Sequence, residues 1–126
     1  LMKTDYDLAG KVIGAAMAVH SNLGPGFVES VYENALAIEL EDLNLEVERQ
    51  KPIVVLYKEQ IVGNFIADLI VDRTLIVELK SVQTIMPIHE VQLVNYLTAT
   101  GIDVGVLLNF GSESLQFKKK FRKPKS

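Results

Sequence analysis

An α/β domain with a mixed central sheet flanked by helices is predicted by three features of the sequence: two stretches of helical apolar spacing before residue 44, a change to β-branched and apolar runs from Glu46, and one later helical stretch followed by a nearly continuous apolar run. Leu8, Val12, Ala15, Ala16, Val19 and Leu23 place a first amphipathic helix over residues 7–22, which Gly24-Pro25-Gly26 ends. Val28, Tyr32, Ala35, Leu36, Leu40 and Leu43 place a second over 27–43, stopped near Asn44. Residues 52–57, 61–71 and 75–80 then read as an antiparallel meander, with turns at Lys58-Glu59-Gln60 and Asp72-Arg73-Thr74. Pro87 suits the first turn of a third helix and Gly101 its exit, so that helix covers 87–100. Residues 104–110 suit a buried strand and 114–117 an edge strand, giving the order α-α-β-β-β-α-β-β.

With 126 residues and 48% apolar composition, the chain is large enough to bury one core, and a single domain over 1–117 is expected. No apolar run approaches the 18 or so residues that a membrane-spanning helix needs, so no membrane association is expected. Residues 1–10 lack the basic-then-apolar order of a secretory signal. The absence of cysteine excludes disulfides and thiolate metal sites and fits a cytoplasmic location. The net charge of −3 conceals an asymmetry. Seven basic and sixteen acidic side chains precede residue 118, a net of −9, whereas Lys118, Lys119, Lys120, Arg122, Lys123 and Lys125 give 118–126 a net of +6. A broad phosphate-binding body is therefore not expected, and the basic tail over 118–126 is either a solvated end or a weak nucleic-acid contact.

In the last hairpin of the meander, strict alternation puts Phe65, Ala67, Leu69 and Val71 on one face and Ile66, Asp68, Ile70 and Asp72 on the other. On the following strand Leu75, Val77 and Leu79 are apolar and Ile76, Glu78 and Lys80 lie opposite. A three-residue loop pairs Val71 with Leu75 and brings Asp68 opposite Glu78, whereas a two-residue loop would turn the acids to opposite faces. Two carboxylates at the roughly 5 Å spacing of such a pair repel unless a cation lies between them. Mg²⁺ suits the sparse oxygen set, and the Lys80 ammonium, two residues on, could orient a water or stabilise charge on a phosphate. A solvent-facing hairpin with scattered charges is the alternative. Glu29 lies one helical step from Tyr32, and Gln92 and Tyr96 form an i,i+4 pair with His89 on the same side. Glu29 could equally favour a helix N-terminus, Tyr32 and Tyr96 could be core aromatics, and His20 and His89 read as boundary residues or additional site residues.

Gly26-Phe27-Val28-Glu29-Ser30-Val31-Tyr32 resembles the signature of the GxxExxY family. The resemblance extends from His20 through Gly26 into that signature, to Asp68 and Glu78-Leu79-Lys80, and to the block Ile88 to Leu97, covering about residues 8–110. That family is similar to a branch of the PD-(D/E)XK nuclease superfamily, the exonuclease-like branch that adds a helix glutamate and a Gln-x-x-x-Tyr motif. The resemblance implies a restriction-endonuclease-like core in which Asp68 and Glu78 ligate Mg²⁺ or Mn²⁺ with the Leu79 carbonyl, and Glu29 binds metal directly or through water. It further implies that Lys80 assists the hydrolytic water and that Gln92 and Tyr96 position the site or substrate. Ala67 stands where the superfamily's usual wording has proline.

The function expected is metal-dependent hydrolysis of nucleic-acid phosphodiesters, DNA before RNA, by metal-activated water. The rival is a nuclease-fold binding module or subunit that engages a protein partner and nucleic acid without turnover. So short a chain has little surface beyond its site, so a homodimer or a protein partner is also expected.

Overall fold

The computed structural model describes residues 5–123 and has three helices and five strands in the expected order. They are α1 (Asp5–Leu23), α2 (Glu29–Asp42), β1 (Val47–Tyr57), β2 (Gln60–Val71), β3 (Leu75–Lys80), α3 (Pro87–Thr100), β4 (Val104–Asn109) and β5 (Gln116–Phe121). The strands lie in sequence order in one sheet. β1, β2 and β3 pair antiparallel, β3 and β4 pair parallel through the crossover that contains α3, and β5 returns antiparallel to β4. No helix among the described residues is long and apolar enough to cross a membrane.

The helices cover opposite faces because the strands at the centre are apolar on both sides. Leu69, Val71, Leu75, Val77, Leu79, Val104, Val106 and Leu108 pack with α1 and α2. Ile70, Ile76 and Leu107 pack on the other face with Leu93 and Leu97 of α3. Burying such side chains is the main favourable term in the fold, at about 1.5–3 kcal/mol for each large aliphatic residue. At the far end β1 and β2 run on as a two-stranded arm, closed by Lys58 and Glu59 with φ of 49° and 64°. Positive φ at both central residues matches the twist of a two-residue hairpin turn.

Two expectations are corrected. Alternation does not run unbroken along β2: Phe65 and Ala67 belong with the α3-side cluster, whereas Leu69 and Val71 belong with the α1–α2 side. The reversal falls at Asp68. The edge strand expected over 114–117 also does not end at residue 117, because Lys118, Lys119 and Lys120 continue β5 opposite Leu107, Val106 and Gly105. Lysines on a half-exposed edge strand look like a solvated tail in sequence, since only one of the strand's faces needs apolar residues and charge discourages sheet-to-sheet association. Lys125 lies outside the described residues.

The segment after β3 is clamped to the end of β4. Asn109, fully buried, accepts from the N–H of Val82 at 2.9 Å and of Gly111 at 3.0 Å, while Phe110 N donates to Lys80 O at 2.9 Å. A Cβ on Gly111 would lie 2.3 Å from the Val82 carbonyl oxygen and 2.4 Å from its nitrogen, so no side chain fits there without moving backbone. Gly111→Ala is expected to cost about 1–3 kcal/mol, the range of overpacked sites, measured by urea unfolding.

Candidate active site in the fork of the sheet

β2 and β3 pair over three rungs only, Val71 with Leu75, Ile70 with Ile76 and Leu69 with Val77. The loop is the expected three residues, and its register carries Asp68 toward Glu78, but the ladder stops there. Beyond that rung β2 stays with β1 and β3 stays with β4, so the sheet forks. The carboxylates take up the backbone donors that the missing rungs release: Leu79 N donates to Asp68 Oδ2 at 2.8 Å, and Asp68 N donates to Glu78 Oε2 at 3.3 Å. A backbone N–H left without a partner in such a place would cost about 1–3 kcal/mol, which explains why acids of this length fit the split.

Side chains from both faces meet in the fork. Glu29 from α2, Asp68, Glu78, Leu79 and Lys80 from the strands, and His89, Gln92 and Tyr96 from α3 line one cavity of about 150 Å³, together with Ile66, Leu93 and Leu107. Glu29 opens α2, where an acid is favoured by the helix dipole, and the loop before it is fixed by Tyr32. The Tyr32 hydroxyl donates to Gly24 O and accepts from Phe27 N at 3.2 Å, and Ser81 Oγ donates to Phe27 O at 2.7 Å. The Ser81 bond ties the residue after Lys80 to the loop before Glu29. Tyr96 stacks on Phe65 with ring centroids 3.7 Å apart and planes 8° from parallel. His89 Nδ1 accepts from Met86 N at 3.0 Å at the start of α3.

Glu78 is the electrostatic centre of the cavity. Its residue is 8% exposed, and Oε1 is buried with no hydrogen-bond partner. Burial first, then its hydrogen bond to Asp68 and that residue's charge, push its carboxyl up to about 9, with Lys80 acting in the opposite direction. The Tyr96 phenol is also raised, first by burial and then by Glu78 and Asp68, and stays a hydrogen-bond donor. Among the described residues no group of three or more Asp, Glu or His side chains forms a complete metal cage, so Glu29 shares the cavity without joining the Asp68–Glu78 pair in a tight cluster. The donor set nonetheless fits a hard divalent cation, since the orphaned Glu78 oxygen lies beside a second carboxylate in a cavity with room for water.

The other sequence candidates lie elsewhere. Tyr32 is a core residue, fully buried and stacked on Phe110 at 4.5 Å, and it acts on the site only through the loop it holds. His20 is buried against Phe110, with Nε2 3.0 Å from Ser112 O. Lys118, Lys119, Lys120, Arg122 and Lys123 stand outside the cavity, Lys120 against Glu90 at 3.1 Å and Arg122 against Asp103 at 2.7 Å. Residues not singled out from sequence also build the site. Asn109 carries a weak signal, a polar residue closing an apolar run, whereas nothing near Ser81 or Ile66 marks them.

A mixed sheet split at its centre, with acids at the split and a lysine beyond, defines a nuclease-type α/β core. The chain belongs to the PD-(D/E)XK nuclease superfamily, whose family model matches residues 6–123. Among solved structures, the crystal structure of SSO0001 is similar in fold, with a TM-score of 0.59 at 14% identity over 76% of this chain and 50% of that one. The chain thus spans about half the length of that protein. No curated protein matches the sequence.

The raised Glu78 carboxyl has a consequence for stability. Because the folded value lies above the ordinary 4.5, its contribution is complete below about pH 4.5 and is lost as pH rises toward about 9. In thermal melts of metal-free protein from pH 5 to 9, Glu78→Gln is expected to flatten the decline, so that the variant gains about 5 °C or more on the wild type across the range.

Proposed function

We propose that this chain is a metal-dependent nuclease of the GxxExxY branch, hydrolysing nucleic-acid phosphodiesters, DNA in preference to RNA. The observation that carries the reading is the meeting of Glu29, Asp68, Glu78, Lys80, Gln92 and Tyr96 in one cavity, although they come from four separate elements, α2, β2, β3 and α3. A solvated hairpin with scattered charges does not predict a buried carboxylate oxygen left without a partner.

In this reading Asp68, Glu78 and the Leu79 carbonyl hold Mg²⁺ or Mn²⁺, with Glu29 contributing directly or through water. When bound, the ion supplies Lewis-acid polarisation of the phosphate and a water acidified enough to attack it. Lys80 orients that water and offsets charge developing on the phosphoryl oxygens. Gln92 offers an amide and Tyr96 a phenol that remains protonated, two donors suited to holding phosphate or sugar oxygens. His89 lines the same cavity as an additional polar contact. The lysines of β5 with Arg122 and Lys123 would contact the backbone of a longer substrate, and the pairing of Lys120 with Glu90 and of Arg122 with Asp103 suits weak, salt-sensitive contact.

The experiment is hydrolysis of single- and double-stranded DNA and RNA by purified protein with added Mg²⁺ or Mn²⁺. Asp68→Asn and Lys80→Ala are each expected to lower the rate by about 100-fold or more. Cleavage that persists in both variants points to a contaminating nuclease. Metal binding by the wild type without cleavage of any substrate transfers the reading to a non-catalytic binding module.

A further inference from the structure

Gln50 sits on the rung that would pair it with Asp68. β1 and β2 keep one register from Val47–Val71 to Val55–Gly63, with partners on either side at Arg49–Leu69 and Lys51–Ala67, yet Gln50 and Asp68 are not paired. Gln50 has φ of +49°, a left-handed backbone that a residue with a long side chain adopts only when its surroundings compel it. Both strands show the effect of this kink. On β2 the core faces reverse between Ala67 and Leu69. On β1 the neighbours Arg49 and Gln50, which regular alternation would send to opposite faces, both reach Glu33 of α2.

The contacts of Gln50 run toward the site. Its Nε2 donates to Glu33 Oε1 at 2.6 Å and to Asp68 Oδ1 at 3.4 Å. Glu33 is itself held by Arg49, through Nε at 3.2 Å and Nη2 at 3.0 Å. Asp68 is therefore gripped at both oxygens, by the Leu79 N–H on Oδ2 and by the Gln50 amide on Oδ1. Without the second grip the carboxylate could rotate about the first. We propose that Gln50 is a positioning residue, anchored by Glu33, that sets the orientation of the Asp68 carboxylate for metal binding. Partners that orient a ligand in this way typically change metal affinity by 10–100-fold when removed. A backbone held out of its preferred region beside a site is the usual form that such preorganisation takes.

The inference rests on Asp68 as a metal ligand, and the test separates the two. Mn²⁺ alone is titrated calorimetrically into the full chain, wild type, Gln50→Leu and Gln50→Gly, with folding checked by circular dichroism. Leucine keeps the bulk and loses the amide, whereas glycine relaxes the φ of +49° and loses the amide. Both variants are expected to bind Mn²⁺ about tenfold more weakly or worse, with kcat reduced and KM for DNA unchanged. Wild-type affinity in both variants, or a loss in Gln50→Leu that Gln50→Gly does not share, overturns the role of the amide while leaving the metal site intact. A wild type that does not bind Mn²⁺ overturns the metal reading of Asp68 and this inference with it.

Discussion

The rest of this structure depends on the point at which β2 and β3 stop sharing a ladder. A sheet that forks leaves backbone donors facing a gap, and a buried gap cannot leave them unpaired. Here Asp68 and Glu78 turn inward and accept them, so one pair of side chains both closes the fold and creates a concentrated patch of acid in its interior. The fork also explains why helices from opposite faces meet in one cavity. In an unbroken sheet the plane of strands would separate Glu29 from Gln92 and Tyr96, whereas a split sheet lets both sides reach the same space. Fixing the two lips is then the remaining task. Ser81 and Asn109 hold the β3 lip to the α2 loop and to β4, and Gln50 holds the β2 lip to Glu33.

The legible part of the sequence is the part set by simple periods. The three helices follow from apolar spacing and their glycine and proline stops, and the three-residue loop with its Val71–Leu75 register follows from matching apolar rows. The same period-of-two reasoning misplaces Phe65 and Ala67, because it assumes a regular strand and the kink lies on the partner strand. A left-handed residue in a strand is usually flagged by glycine or asparagine, and Gln50 is neither. β5 is misread for a different reason, since an edge strand needs few apolar residues and its lysines resemble a charged terminus. The resemblance supplied Glu29, Gln92 and Tyr96 as a group, which spacing could not have done, because the three come from helices far apart in sequence. The residues that hold the site's frame, Glu33, Gln50, Ser81 and Asn109, act through hydrogen bonds between distant segments and leave no periodic trace.

The energetics of Glu78 bear on whether the fork is a site or only a closure. As a structural acceptor for one N–H, a glutamine at this position would provide an oxygen with no charge to desolvate, and would leave nothing for its neighbour to repel. The chain instead carries a carboxyl buried to 8% exposure, with one oxygen unused and its proton held up to about pH 9 by burial and by Asp68. Such an arrangement lowers stability near neutral pH, and the hydrogen bond from Asp68 N and the charge of Lys80 oppose the shift without abolishing it. A buried, unsatisfied acid is explicable if a cation occupies its free oxygen when the protein works, because the ion then reverses the sign of the local electrostatics and both carboxylates become favourable together. On the proposed reading, the cost in the metal-free fold and the affinity for a cation are two aspects of one arrangement, and a purely structural fork has no need of an ionisable group at this position.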